Sequence, residues 1–296
     1  MRRAFVAVLL FVVGCPSGDD GGRSKDLAAI AGDDMETSSG ALDLAVPTAP
    51  NGGTMEVLST PMSWSGGASF YTGMPATTSP ECSYTSVGAC TAAQCTIGTA
   101  DGGTAAPTST LVSAGDVAVA VGSMAPIAFA VEPGDYYLAP GSNAQALFNG
   151  GEVITFTASG AVAPASSTMV QAPSPPTLTM PSQPPLYTIS RSSDFAFAWT
   201  GGGPGQFVVA VQTSPSSIAP GTQFGSVSCT FAVSAGSGAI PSAALAVLPA
   251  GNAMLTFAVA NQAINVVGDW AFTARVGTYL ETTGGQPIAG GQATIN

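Results

Sequence analysis

The chain has 296 residues, of which only 8% are charged: six Lys and Arg stand against 17 Asp and Glu, and there is no histidine. So few cations exclude nucleic acid as a partner, because binding to phosphates rests on many Lys and Arg contacts. The missing histidine removes Ser-His-Asp and Cys-His catalysis, His-bearing zinc sites and the commonest general base.

Taken in order, the chain begins with Arg2 and Arg3, an unbroken apolar run from Ala4 to Val13, then Gly14 and Cys15. Positive charge, apolar stretch and small residue form the layout of an export signal. A membrane-spanning helix needs about twenty apolar residues. This run is half that length, so it is built to be removed. The end of the run, Val12-Val13-Gly14-Cys15, resembles the lipobox of bacterial lipoproteins. The resemblance implies a signal peptide over 1–14, cleavage after Gly14, and a diacylglycerol thioether on Cys15. Two or three acyl chains then hold the protein to the membrane of the cell envelope. Pro16 stands where aspartate would retain a lipoprotein at the inner membrane, which favours the outer membrane. Loss of the signal leaves four basic side chains against 17 acidic, a net of −13, so lipid and not headgroup attraction must supply the anchorage.

Residues 15–45 read as the lipidated cysteine and a flexible acidic tether, too poor in apolar residues to offset the entropy of ordering. Asp19-Asp20-Gly21-Gly22 lacks the alternating acidic spacing and closing Glu of a calcium loop, so no metal is expected there. From Val46 onward Gly, Ala, Ser, Thr and Pro dominate, punctuated by Val and Ile. That is the composition of many short strands joined by turns. Phe195, Phe197 and Trp199 alternate onto one face, as do Phe207, Val209 and Val211 after a glycine-rich turn. Val117, Val119 and Val121 alternate too, and Ile154 with Phe156 should oppose Val153, Thr155 and Thr157. Pro241 to Leu248 offers at most two helical turns, and Gln292 to Asn296 reads as a last edge strand.

Landmarks recur at an offset of about 134 residues: Trp64-Ser-Gly-Gly and Trp199-Thr-Gly-Gly, Cys95-Thr and Cys229-Thr, Pro107 and Pro241, Gly134-Asp-Tyr and Gly268-Asp-Trp. Trp and Cys are rare here, so a tandem repeat is expected. Its copies would occupy 46–165 and 186–296, with a Pro-rich linker over 166–185. A buried Trp at a strand end, a glycine-rich turn, alternating strand pairs and a late Gly-Asp-aromatic strand resemble immunoglobulin-like β-sandwich domains of bacterial surface proteins. The expected class is all-β, two tandem immunoglobulin-like or Greek-key β-sandwich domains after a signal peptide and a disordered tether. The Cys-Trp-Cys pattern of antibody domains is absent.

With Cys15 lipidated, Cys82, Cys90, Cys95 and Cys229 remain, and an even number in an exported chain favours disulfides. Spacing prefers a Cys90–Cys95 bridge, leaving Cys82 and Cys229 joined or free. No CxxC pair supports zinc.

Catalysis has little to work with. There is no GxSxG, and a Ser-Lys dyad would need Lys25 in the tether. Glu56, Glu81, Asp101, Asp116, Glu132, Asp135 and Glu152 are the acid/base candidates for a carboxylate-dependent glycoside hydrolase, but seven scattered carboxylates read as turn and surface residues, so no catalytic residue, cofactor or metal is expected. Tyr136, Tyr137 and Trp270 are candidates for stacking on a glycan. The expected function is therefore that of a non-enzymatic envelope lipoprotein, tied to the membrane by lipid and contacting a protein or, alternatively, a glycan.

Overall fold

Segments with a period of two become strands, and glycine turns close them. The computed structural model describes residues 49–60, 63–73, 81–97, 109–141, 145–181, 186–213, 219, 221–281, 287–288 and 291–296. The signal, Cys15 and the tether lie outside these residues, as do Asp101 and Pro107. Two hairpins come first, β1 (Asn51–Thr60) with β2 (Ser63–Thr72) and β3 (Glu81–Val87) with β4 (Cys90–Thr96). Short strands follow: β5 (Thr110–Leu111), β6 (Val117–Val121), β7 (Ile127–Ala128), β8 (Ala130–Glu132) and β9 (Tyr136–Leu138). Next come the hairpin β10 (Val153–Ala158) and β11 (Ser166–Gln171), then β12 (Thr177–Met180), β13 (Leu186–Ile189) and β14 (Phe195–Thr200). The chain continues through β15 (Gln206–Thr213), β16 (Gln223–Ala232), β17 (Ser237–Ile240) and a single helical turn α1 (Ser242–Leu245). It ends with the long hairpin β18 (Gly251–Val267) and β19 (Trp270–Glu281), β20 (Pro287–Ile288) and β21 (Gly291–Ile295).

The fold is all-β, a sandwich in which one large sheet is faced by smaller groups of strands. One large sheet runs β8-β9-β2-β1-β19-β18-β15-β16-β4-β3. Two smaller groups of strands supply facing layers: β11-β10-β6-β7, and β12-β14-β17. The first core packs Met55, Val57, Phe70 and Tyr137 of the large sheet with Val119, Ile154 and Phe156. The second packs Phe207, Val209, Leu255 and Phe257 with Phe197, Trp199 and Ile240. Trp199 stacks on Phe207 with ring centroids 3.9 Å apart, and its indole N–H donates to the Val233 carbonyl at 2.7 Å, which leaves no polar atom of the ring orphaned.

The two cores do not divide the chain at one point. Residues Thr48 to Asn296 form one compact unit because each half lends a hairpin to the other. Trp270, Phe272, Ala274 and Val276 of β19 complete the first core, with β19 laid parallel to β1 from Asn51↔Trp270 to Ser59↔Thr278. In return β4 pairs antiparallel with β16, and its Cys90 and Ala92 join the second core. The expected linker over 166–185 instead contains β11 and β12. Gln292 to Asn296 is not an edge either, since β21 pairs with β18 on one side and β13 on the other.

The disulfides correct the pairing preferred from spacing. They are Cys82–Cys95 and Cys90–Cys229, with Cα separations of 4.1 and 3.9 Å. Cys90 and Cys95 lie on the same strand at an odd spacing. They point to opposite faces, and an extended chain holds them about 16 Å apart, beyond any disulfide. Each cysteine joins instead the residue directly opposite it, Cys82↔Cys95 in β3–β4 and Cys90↔Cys229 in β4–β16.

Loop length makes these bridges unequal, because the Cys90–Cys229 loop spans 139 residues and the Cys82–Cys95 loop 13. The paired change Cys90→Ala/Cys229→Ala should cost about 2 kcal/mol more than Cys82→Ala/Cys95→Ala, measured by urea unfolding without reductant. Equal losses would contradict the loop-entropy account. Ser166 and Thr168 point inward from β11 with hydroxyls that have no hydrogen-bond partner among the described residues. Thr168→Val removes a buried unsatisfied group at nearly constant shape, and should raise unfolding free energy by about 1 kcal/mol in the same titration.

Candidate functional site

Of the three rings singled out for glycan stacking, two are core. Tyr137 is fully buried; its hydroxyl accepts from the Ala114 amide at 2.9 Å, and its ring meets Phe70 edge-on at 5.6 Å. Trp270 is 6% exposed and stacked on Phe272 at 5.9 Å. Tyr136 alone is partly exposed, on the opposite face of β9. Neighbouring residues of a strand point to opposite faces, so Tyr136-Tyr137 was bound to give one ring inside. Trp270 is inside because it stands with Phe272 and Ala274 on the face of β19 that packs into the first core. These side chains form no platform.

Of the six candidate carboxylates among the described residues, Glu56, Glu81 and Glu132 lie within strands and Asp116, Asp135 and Glu152 at turns or loops. Asp135 sits in the β8–β9 turn at φ 58°. Asp269, in the β18–β19 turn, accepts from the Asn51 amide at 2.7 Å. Asp116 precedes β6, with its backbone N–H donating to Ser159 Oγ at 2.7 Å. Glu152 holds the loop before β10, accepting from the backbone N–H groups of Asn149 and Gly150 at 2.9 and 2.7 Å. Partial burial pushes this carboxyl up, but those hydrogen bonds outweigh it and hold it below the usual range. Among the described residues no group of three or more His, Cys, Asp and Glu could hold a metal ion.

One cluster differs. Glu56 lies in the middle of β1, between the core residues Met55 and Val57, and therefore faces the opposite side of the sheet. Its register neighbours are Gly67 on β2 and Arg275 on β19, and Arg275 is flanked in turn by Gln262 on β18. Tyr279, four residues along β19, shares this face. Burial pushes the Glu56 carboxyl above its ordinary value, and the Arg275 guanidinium pulls it back only in part. Tyr279 is raised by burial first and by the Glu56 charge second. The other described cation, Arg191, donates to the Asn296 and Leu248 carbonyls and ties down the chain end. Arg275 Nε has no hydrogen-bond partner among the described residues.

A lone carboxyl beside a guanidinium and a phenol does not make the facing carboxylate pair that glycoside hydrolysis needs. It makes a half-buried electrostatic link between β1, near the start of the body, and β19, near its end. Sequence reasoning placed Glu56 among seven carboxylates and did not connect it to Arg275. The available signal was the alternation, since each residue is a charge flanked by buried apolar neighbours. The parallel pairing of β1 with β19 leaves no local trace.

No protein-family model matches the chain, and no curated protein matches it. Among solved structures, that of Dpr11 IG1 bound to DIP-gamma IG+IG2 is similar over 68% of this chain and 99% of the other, at 11% identity and a TM-score of 0.16. That of DIP-gamma IG1+IG2 covers 68% of this chain and 98% of the other, at 10% identity and a TM-score of 0.15. With scores so low, the fold rests on the strand pairings themselves.

Because the folded Glu56 carboxyl titrates above its unfolded value, folding favours the protonated form. Its contribution to stability is full below the ordinary carboxylate range and is lost as pH rises through the raised value. Glu56→Gln, which is neutral throughout, should therefore melt higher than the parent near pH 7, with the two curves converging below about pH 4. Thermal melts across that range check the sign, and a variant that melts lower at pH 7 would mean the Arg275 attraction dominates.

Proposed function

We propose that the chain is a lipid-anchored protein of the bacterial cell envelope whose β-sandwich body has a non-catalytic structural or protein-contact role. The observation that carries this reading is the distribution of cysteines. Two disulfides take Cys82, Cys90, Cys95 and Cys229, and the fifth, Cys15, follows Val12-Val13-Gly14 at the end of the apolar run. Structural disulfides belong to oxidising compartments, in agreement with an export signal. An odd cysteine in an exported chain calls for a modification or an intermolecular partner, and the lipobox resemblance supplies the modification. Pro16 favours the outer membrane by the sorting argument given above.

The non-catalytic part is supported by residue chemistry. The chain has no histidine, the described candidate carboxylates are divided between separate strands and turns, and Glu56 stands with a guanidinium and not with a second acid. Glycan binding loses its sequence basis with Tyr137 and Trp270 in the core.

Anchorage is tested by expressing the full chain and its Cys15→Ser variant in a Gram-negative host and separating membranes from soluble protein. The parent should enter the detergent-rich phase and show, by mass spectrometry, an amino-terminal peptide beginning at an acylated Cys15. The variant should lose both properties. An unmodified Cys15 in the mature parent would overturn the reading.

A further inference from the structure

Among the described strands β3 stands at one end of the large sheet. Among the described strands it pairs only with β4, in continuous register from Glu81↔Thr96 to Val87↔Cys90 and without a bulge. Ser83, Tyr84, Thr85 and Ser86 are all exposed, Tyr84 to 48%. An open edge is a template for another strand, and proteins usually blunt it with Lys, Pro, a bulge or an inward charge. β3 opens on Glu81, and the run Cys82-Ser-Tyr-Thr-Ser-Val87 that follows it has none of these. Other described edges are shorter or covered. β8 has three residues and ends on Glu132. On β11, the Ser167 and Gln171 carbonyls accept from Asn265 and Asn261 side chains. β3 is also held firmly, since Cys82–Cys95 ties it to β4 and Cys90–Cys229 ties β4 to β16. A partner strand would meet an edge already in place.

We propose that β3 is a self-association edge, on which a second copy of this chain adds its own β3 antiparallel about a twofold axis. Opposed residues must both direct their N–H and C=O groups at the partner or both direct them away, so a twofold between identical strands passes through one residue. With Thr85 on the axis, Thr85 meets Thr85 and Tyr84 meets Ser86. With Tyr84 on the axis, the rings pair and Ser83 meets Thr85. Both registers give hydroxyl and aromatic cross-strand pairs of the favourable kind, and neither opposes like charges.

That neutrality selects the occupant. With 17 acidic side chains against six basic, much of the surface repels a second copy, whereas Cys82 to Val87 carries no charge. A basic peptide would be drawn to the carboxylates in the turns and not to this strand. The chain already performs the same operation on itself: β4 and β16, which the repeat offset superimposes through Cys95 and Cys229, pair antiparallel. One strand pair makes a small, weak interface in dilute solution. The anchor proposed at Cys15 would confine copies to one surface and raise their effective concentration, and to that extent the inference rests on the preceding reading.

The test is sedimentation equilibrium of the full chain in detergent at concentrations up to about 1 mM, with Thr85→Lys and Thr85→Val alongside. The parent and Thr85→Val should form a reversible dimer, and Thr85→Lys should weaken it at least about tenfold by setting two ammonium groups at or beside the axis. A parent that stays monomeric throughout, or a dimer that Thr85→Lys leaves unchanged, overturns the proposal. Intact disulfides in a non-reducing peptide map show that the variants are folded. The same measurement on Cys15→Ser does not depend on acylation, so a failed anchor and a failed edge give different results.

Discussion

The structure depends on one exchange. β18 is seventeen residues long, and it is long enough to serve both cores: Leu255, Phe257 and Val259 pack in the second, while Ala263 and Val267 reach the first. Its partner β19 then sets Trp270 and Phe272 beside β1 on the face of the first core. Burying two aromatic rings of this size is worth about 1.5–3 kcal/mol each, and both rings lie in the first core. The first core is therefore incomplete until the end of the chain has been made. The reverse loan, β4 onto β16, is smaller in apolar area but is made covalent by Cys90–Cys229. Two sandwiches that each owe a layer to the other behave as one body.

This explains which parts of the fold were legible in the sequence. Phe195, Phe197 and Trp199, the valines of β6 and the Ile154–Phe156 face were readable because a strand's period of two is a local property of the chain. The brief helix after Pro241 and the glycine turns before Tyr136 and Trp270 were readable for the same reason. At the offset of the expected repeat β4 falls on β16 and β9 on the start of β19, yet β9 lies against β2 whereas β19 lies against β1 of the other half, so the pairings do not repeat. No residue within β1 or β19 encodes that choice locally. The disulfide pairing failed for the same physical reason, since it follows register between strands far apart in the chain. Glu56 and Arg275 were individually legible as charges inside apolar alternation, but their adjacency is again a product of the β1–β19 pairing.

Scarcity of charge shapes the surface. With few Lys and Glu available to cover exposed strands, the molecule protects its edges in other ways. β11 is covered by the side-chain amides of Asn261 and Asn265, and β21 is enclosed between β13 and β18. Glycine has a matching role inside. A Cβ at Gly53 would overlap the Phe70 ring and crowd Phe272, so a residue that weakens an isolated strand is what lets β1 accept rings from both neighbouring strands. The composition that looked like low-complexity filler is in part a packing requirement.

The two disulfides mark a mechanical path. Load applied at β3 passes through Cys82–Cys95 to β4, and through Cys90–Cys229 to β16 in the middle of the second half of the large sheet. Hydrogen bonds alone would let a terminal hairpin open locally, since edge elements lie at the low end of local stability. Bridged in this way, the hairpin shares the fate of the second core and cannot fray independently. A body whose outermost strand is fixed so firmly, while the edge from Cys82 to Val87 is left without charge, proline or bulge, is organised to present that edge. Stability of the fold alone would be served as well by a shorter or a charged strand.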